Sequence, residues 1–177
     1  MIISENCNLI RTINTGHTKT HDIDFSNDGT LMLTCGDDRT FKVWNISGIN
    51  LATTAPPMIG GGFSTGVSLM VCKFSMSNVI LTGNTNNDDH KVYPSNFTNT
   101  VIRIYNIPTG GKAYSAGFFY CENTTKIVMG SDSGKIYWYN GTSTASTITQ
   151  TLITDLGAGF VWFAKVDKTN QFMAYGG

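Results

Sequence analysis

Short runs of hydrophobic residues alternate with polar ones along most of this chain. The clearest case is residues 16–46, in which Ile23 and Phe25 alternate with polar neighbours and residues 31–33 form a continuous apolar run. Alternation with a period of two predicts a half-buried strand, and a short continuous run predicts a strand buried on both faces. Asp-Gly and Gly-Asp-Asp sequences between the runs supply turns. The pattern predicts four antiparallel strands, with residues 48–54 as the fourth.

The same pattern recurs along the chain and indicates a repeat array. Candidate first strands end at Phe25, Phe74, Tyr120 and Val166, which are 46 to 49 residues apart, and each precedes an apolar run that ends in glycine. Third-strand candidates contain an aromatic-asparagine pair, as in FKVWNI, IRIYNI and KIYWYN. We predict one domain over residues 1–177. Its repeats are expected at about residues 16–54, 64–112, 113–152 and 158–177.

The second unit allows two arrangements. If IRIYNI is its third strand, residues 84–100 are an insertion between the second and third strands. If residues 90–93 form the third strand, IRIYNI is the fourth. The number of residues from the end of this third strand to the end of the next unit's first strand is then the same as in the third unit. The motif favours the first arrangement and the spacing favours the second. Both stay open, and we favour the insertion, as a solvated loop.

Residues 16–46 also carry a motif. Gly16-His17 opens the segment, and the sequence Asp-x-Thr-x-x-x-Trp-Asn, from Asp38 to Asn45, closes it. This segment resembles one WD40 repeat, the unit of a β-propeller blade. The resemblance implies an all-β WD40-type propeller of about four blades or partial blades, which is incomplete relative to a seven-bladed ring. It also implies a structural tetrad made of His17, Thr34, Asp38 and Trp44.

A tetrad of this kind has a physical basis. A buried imidazole, hydroxyl, carboxylate and indole N–H satisfy one another's hydrogen bonds, whereas each alone would be costly to bury. The later units lack the Gly-His pair, so we expect them to depend on apolar packing between neighbours. His17, Thr34 and Asp38 resemble a catalytic triad only in residue type. The sequence supplies no matching solvent-reachable nucleophile or oxyanion site, so we assign no catalytic residues.

The sequence ends within the fourth unit, where an open array would leave unpaired strand edges. Three explanations stay open: the chain is a piece of a larger propeller, another chain completes it, or residues 1–4 and 8–13 close the last blade. We favour an incomplete ring.

Composition narrows the class of protein. The formal net charge is zero, with 12 basic and 12 acidic residues, so the chain offers no broad basic field and we expect no direct binding of nucleic acid. No run approaches the roughly 20 apolar residues that cross a bilayer, and we expect no membrane insertion. The N-terminal segment does not resemble a signal peptide, and the four cysteines are widely spaced. We expect a cytoplasmic protein.

Other candidate sites are weak. Residues 60–62 are three glycines, but no Lys-Ser/Thr pair follows them, so we interpret them as part of a loop between blades rather than a phosphate-binding loop. Asp88, Asp89 and His90 are adjacent in the chain, and adjacent side chains rarely converge on one metal ion. We therefore expect neither a metal nor a cofactor. The candidate partner-binding residues, which lie in or beside the predicted loops, are Phe63, Asp88, Asp89, Tyr93 and Phe97.

The resemblance implies a function in binding rather than catalysis. WD40 propellers act as platforms, so we expect a non-enzymatic scaffold that contacts other protein subunits of a complex through its loop face and rim. Within the family, the order of a Gly-His repeat and a later Ile-Tyr-x-Ile strand is similar to the i subunits of eukaryotic translation initiation factor 3. The alternatives are a peptide-recognition adaptor and, less in keeping with only three histidines, an enzyme that uses the central channel.

Overall fold

The computed structural model describes 13 segments of the chain: residues 2–3, 9–48, 56–63, 67–84, 89–106, 113–121, 124–141, 150–155, 157, 159, 161, 163–166 and 173–176. All regular secondary structure in these segments is β-strand, in three four-stranded and two two-stranded antiparallel sheets. Within them, therefore, no helix is available that could span a membrane. The predicted all-β class is confirmed, and the sheets do not close into a ring over the described residues.

Blade 1 is the first four-stranded sheet. Its strands follow one another in chain order, each paired with the next, as β3 (Thr20–Phe25), β4 (Leu31–Gly36), β5 (Thr40–Asn45) and β6 (Met58–Phe63). The turn after β3 is fixed by the Asp28 carboxylate, which accepts hydrogen bonds from the Thr30 N–H and the Ser26 hydroxyl. The first three strands therefore lie where the alternating and continuous apolar runs predict them.

The fourth strand of blade 1 corrects the sequence interpretation. It is β6, which includes the three glycines, and not residues 48–54, most of which lie outside the described residues. The glycines are needed because a neighbouring segment packs directly on the strand backbone. A Cβ atom at Gly60 would lie 2.4 Å from Cβ of Phe97, and one at Gly62 would lie 2.4 Å from Oδ1 of Asn99.

Blade 2 resolves the ambiguity in the second unit. Its strands are β7 (Leu69–Phe74), β8 (Ile80–Asn84), β9 (Asp89–Tyr93) and β10 (Arg103–Asn106). The favoured insertion is therefore wrong: β9 is the third strand, and the IRIYNI segment supplies the fourth. The physical reason is two-sided burial, because Val92 and Tyr93 are both buried and pack in different clusters on opposite faces of the blade.

Residues 94–102 connect β9 to β10 and also cover the outer edge of blade 1. The Gly61 N–H donates to the Phe97 carbonyl oxygen at 3.2 Å, and the Phe63 N–H donates to Oδ1 of Asn99 at 3.0 Å. These bonds satisfy edge groups of β6 that β5 does not reach. A segment of the second unit therefore completes the first.

Blade 3 is the third four-stranded sheet, and two smaller sheets accompany the blades. Blade 3 contains β11 (Ala113–Cys121), β12 (Thr124–Ser131), β13 (Lys135–Asn140) and β14 (Gln150–Asp155). The strands β15 (Phe163–Val166) and β16 (Met173–Gly176) form a two-stranded sheet, which we call blade 4. At the N-terminus, β1 (Ile2–Ile3) pairs with β2 (Leu9–Arg11) and not with blade 4, contrary to the closure by residues 1–4 and 8–13.

Among the residues that the structure describes, the core forms three apolar layers, which lie at the boundaries that follow blades 1, 2 and 3. Because side chains alternate across a strand, each middle strand contributes to two layers: Leu81 faces blade 3, and Ile80 faces blade 1. The layer between blades 1 and 2 contains Leu33, Cys35, Phe41, Val43, Leu69, Cys72, Phe74, Ile80 and Tyr93. The next contains Val71, Leu81, Val92, Tyr105, Ile127, Met129, Tyr137 and Tyr139, and the last contains Val128, Ile136 and Val161.

One turn position shows a local strain in blade 1. Arg39, two residues before the β5 residue Phe41, has a φ of +66°, and Gly134, at the same place before Ile136 in blade 3, has a φ of +74°. A side chain in this left-handed region costs about 1 kcal/mol relative to glycine. Blade 1 therefore carries a strain that blade 3 avoids.

Replacement of Arg39 by glycine should raise the free energy of unfolding by up to about 1 kcal/mol, because the strain disappears. Urea unfolding followed by tryptophan fluorescence measures the change. The matched substitution Gly134→Ala should lower the free energy of unfolding by a similar amount. If both substitutions changed this free energy in the same direction, the assignment of backbone strain to Arg39 would be wrong.

Candidate functional site

The four predicted tetrad residues come together on one face of blade 1. His17 precedes β3, Thr34 lies in β4, Asp38 lies in the turn after β4, and Trp44 lies in β5. Nδ1 of His17 is 2.8 Å from Oδ1 of Asp38, and Nε2 of His17 is 2.9 Å from Oγ1 of Thr34. Nε1 of Trp44 donates to the same Thr34 oxygen at 3.1 Å. The hydrogen bonds form a continuous chain from the indole to the carboxylate.

The charge states of the tetrad follow from burial and hydrogen bonding. Burial lowers the pKa of His17 and outweighs the hydrogen bond to Asp38, which acts in the opposite direction. Burial raises the pKa of Asp38, but hydrogen bonds from His17 and Thr40 together hold it below its usual value. A neutral imidazole and an ionised carboxylate result. His17 then donates a hydrogen bond through Nδ1–H to Asp38, and its Nε2 atom accepts a hydrogen bond from the Thr34 hydroxyl.

Three further residues support the tetrad, although the sequence analysis gave them no such role. The Thr40 hydroxyl donates to Oδ2 of Asp38 at 2.9 Å, and Lys42 donates to the Thr15 carbonyl oxygen at 2.8 Å while its Nζ lies 3.4 Å from Asp38. A Cβ atom at Gly36 would lie 2.1 Å from the Lys19 carbonyl oxygen. The bare backbone of Gly36 therefore lets the segment around His17 cross β4. The sequence signals for them were the threonine of the motif, Thr40, and the glycine at the end of the apolar run, Gly36.

The tetrad is built for stability rather than for catalysis. The Thr34 side chain is fully buried, and its oxygen already donates to His17 and accepts from Trp44. A nucleophile must reach its substrate and be free to lose its proton to the base. The Thr34 hydroxyl meets neither requirement, because both of its hydrogen-bonding roles are occupied inside the blade.

A second polar group, also not singled out from the sequence, joins blades 1 and 2. The carboxylates of Asp22 and Asp24 in β3 accept from the N–H groups of Cys72 at 3.0 Å and Phe74 at 2.7 Å in β7. Lys73 pairs with Asp22 across the same boundary. These N–H groups lie on the edge of β7 that does not face β8, so the carboxylates satisfy donors of an unpaired strand edge.

The charges of this group respond to partial burial. Burial raises the pKa of Asp24 more than its hydrogen bond from Phe74 and the charge of Lys73 lower it. Burial alone would lower the pKa of Lys73, but the charges of Asp22 and Asp24 and a hydrogen bond to Asp22 raise it above its usual value. The boundary between the two blades is therefore held by an ion pair as well as by apolar packing.

Blade 2 keeps a threonine, Thr82, at the position of Thr34, but blades 2 and 3 both replace the indole. The register places Tyr93 and Tyr139 where blade 1 has Trp44, each opposite an apolar residue of the second strand. Tyr93 packs on Phe41 of blade 1, with ring centroids 4.6 Å apart, and Tyr139 packs on Tyr105 of blade 2 at 5.3 Å. In these blades the position serves packing against the preceding blade.

The predicted partner-binding residues divide into three groups. Phe63 is the last residue of β6, with 57% of its surface exposed. Tyr93 is 0% exposed, so its ring is not available to a partner, contrary to the expectation, whereas Phe97 is half-buried against Phe74 and keeps part of its surface exposed. Asp88 and the side chain of Asp89 lie outside the described residues. Tyr93 is buried because it lies in a strand, and Phe97 is partly covered because the connection that contains it packs on blade 1.

Large apolar side chains are exposed elsewhere on the outer rim, at positions not selected from the sequence. These residues are Ile59 in β6, Val101 and Ile102 before β10, and Ile104 within β10. Together with Phe63 we call them the β6–β10 rim. They belong to adjoining segments, because residues 97 and 99 hydrogen-bond to β6. Single exposed apolar residues are ordinary, whereas a group of them is typical of a protein-binding surface.

Metal ligation has no obvious place in the part of the chain that the structure describes, since no three His, Cys, Asp or Glu side chains converge there. His90, one of the three residues weighed as a metal site from the sequence, is fully buried in β9. The described geometry therefore offers binding surfaces and structural hydrogen bonds.

Comparison with known protein families identifies one WD40 repeat in the chain. Residues 7–45 match the family described as WD domain, G-beta repeat. The match spans β2 to β5 and includes all four residues of the tetrad. No curated protein matches the chain. The all-β architecture of four-stranded antiparallel sheets is consistent with a partial WD40 propeller, and no relative supports the similarity to an initiation-factor subunit.

Replacement of Thr34 by valine should lower the free energy of unfolding by about 2–4 kcal/mol. The substitution keeps the shape but leaves the Trp44 N–H and Nε2 of His17 without partners, and each such loss costs about 1–3 kcal/mol. Urea unfolding provides the measurement. Thr82 in β8 is a matched control, because it is also buried but its hydroxyl makes only a long 3.5 Å bond to the Lys91 carbonyl oxygen. Thr82→Val should cost less than about 1 kcal/mol, and similar losses for both variants would argue against the tetrad.

Stability should fall as the pH decreases below about 6.5, the ordinary pKa of histidine. The pKa of His17 is lowered in the folded protein, so between that pKa and 6.5 the unfolded chain binds more protons. Unfolding free energies measured from pH 8 to pH 5 test this expectation. A His17→Gln variant should be less stable at pH 8 and should lose part of the pH dependence; an unchanged slope would contradict the role of His17.

Proposed function

We propose that this chain is a non-catalytic scaffold that holds other proteins together as a subunit of a multi-protein complex. The observation that carries the proposal is that buried polar residues and exposed apolar residues lie in different parts of the molecule. The polar residues of the matched repeat are engaged inside blade 1, and large apolar side chains are exposed on the β6–β10 rim. WD40 repeats generally mediate interactions between proteins.

The chemistry of the rim favours a protein partner. Its exposed members are branched aliphatic or aromatic side chains, which bury well against an apolar surface of another protein. The balanced charge of the chain gives no support for recognition of nucleic acid. The rim also has a firm base, because the three glycines of β6 and the segment from residue 94 to residue 102 pack directly together. A preorganised surface loses little conformational freedom on binding.

A finer proposal concerns the assembly and its place in the cell. The order of the repeats is similar to that in the i subunits of translation initiation factor 3. The translation initiation complex is therefore the first assembly to test. The same proposal places the protein in the cytoplasm. Both depend on the sequence pattern alone.

Affinity purification of the tagged chain, followed by mass spectrometry, tests the scaffold. We expect a reproducible set of co-purifying proteins that is lost from the double variant Ile102→Asp/Ile104→Asp. The matched control is Met76→Asp, because Met76 is 72% exposed but lies in the turn between β7 and β8 and is not a member of the rim. Since all three substituted positions are exposed, the free energies of unfolding of both variants should stay within about 0.5 kcal/mol of the wild-type value.

The possible outcomes separate the alternatives. Loss of partners from the control as well as from the rim variant would show that the rim is not the binding surface. Recovery of initiation-factor subunits would favour that assembly, and a stable set without them would exclude it. A purified chain without partners but with catalytic turnover would overturn the scaffold proposal.

A further inference from the structure

Two cysteines from neighbouring blades lie at the boundary between blades 1 and 2. Cys35 in β4 and Cys72 in β7 are free thiols, and both are fully buried in the same apolar layer. The Cys35 thiol donates to the Leu69 carbonyl oxygen in blade 2 at 3.5 Å. The Cys72 thiol lies 3.6 Å from the Asp22 carbonyl oxygen in blade 1. Each thiol therefore contacts the backbone of the opposite blade.

The backbone register brings the two cysteines together through Asp22. Asp22 is the β3 partner of Cys35, and antiparallel partners have Cα atoms about 4.5–5.5 Å apart. The Asp22 carboxylate also accepts the Cys72 N–H at 3.0 Å. Cys35 and Cys72 thus share one immediate neighbour, and both lie in the same apolar layer, where each thiol reaches the backbone of the opposite blade. Two cysteines placed in this way across one boundary are candidates for a disulfide, which requires Cα atoms within about 7 Å of each other.

We propose that Cys35 and Cys72 are a modification site, at which a small-molecule thiol oxidant forms a disulfide that latches blade 1 to blade 2. With an azo compound such as diamide, two S–H bonds break and one S–S bond forms. The two thiols lose two protons and two electrons, and the N=N bond of the oxidant gains them to become a hydrazine. The reaction requires no other co-reactant.

The packing of the boundary controls access to this site. Neither thiol is exposed, and burial raises the pKa of Cys72, which disfavours the thiolate that attacks an oxidant. Asp22 pairs with Lys73, the residue next to Cys72, and the Asp24 carboxylate accepts a hydrogen bond from the Phe74 N–H, two residues along β7 from Cys72. The oxidant therefore reaches the pair when the two blades separate locally, and the rate of oxidation reports this separation.

The test treats the folded chain with diamide and maps its disulfides by peptide mass spectrometry. The wild type and a Cys7→Ser/Cys121→Ser variant, which retains only the two boundary cysteines, should both yield the Cys35–Cys72 cross-link. Cys35→Ser should abolish this cross-link. The oxidised chain should melt at least about 5 °C higher than the reduced chain, because the cross-link restricts the unfolded state.

Local opening is distinguished from global unfolding by a pair of variants. Asp22→Asn weakens the boundary and should accelerate cross-linking several-fold, whereas Gly134→Ala lowers stability in blade 3 and should have little effect on the rate. Equal acceleration by both variants would show that the thiols react only after the whole chain unfolds, which would overturn the latch. A disulfide with other partners, or no disulfide after prolonged treatment with excess diamide, would also overturn it.

Discussion

The buried hydroxyl of Thr34 is the interaction on which blade 1 depends. It accepts the Trp44 N–H and donates to His17, and His17 in turn donates to Asp38. One hydroxyl therefore connects the segment before β3, the strands β4 and β5, and the turn between them. A group with a donor and an acceptor is required at this position, since valine has the shape but neither function. The absence of a Gly36 side chain allows the arrangement, because the His17 segment passes directly over it.

Blades 2 and 3 solve the same packing problem by another route. Where blade 1 places an indole in a hydrogen-bond network, they place Tyr93 and Tyr139, whose rings pack on an aromatic ring of the preceding blade. The result is an array in which each blade is stabilised by its neighbour, as in other repeat proteins. Blade 1 differs because it has its own internal brace. The ion pair between Asp22 and Lys73 then links this braced unit to the apolar layers that follow.

Local features of the fold were predictable from the sequence, and long-range ones were not. The alternating and continuous apolar runs located β3, β4 and β5, and the motif selected the tetrad residues, because both depend on short-range spacing. The fourth strand of blade 1 was missed, because three glycines resemble a loop until Phe97 is known to pack on Gly60. The third strand of blade 2 was misassigned for a related reason: the burial of Tyr93 depends on Phe41, 52 positions earlier. The rim residues depend on the same distant contact.

The contact between β6 and residues 97–99 also has a consequence for biosynthesis. The ribosome makes blade 1 first, but the outer edge of β6 lacks its covering segment until residue 99 has left the exit tunnel. During that interval the nascent chain presents a glycine-rich strand edge with unpaired N–H groups, which can pair with other extended chains. Chaperones that bind nascent chains should therefore engage this protein while its second unit is being translated. The order of synthesis, and not only the final fold, sets when blade 1 is safe from misassembly.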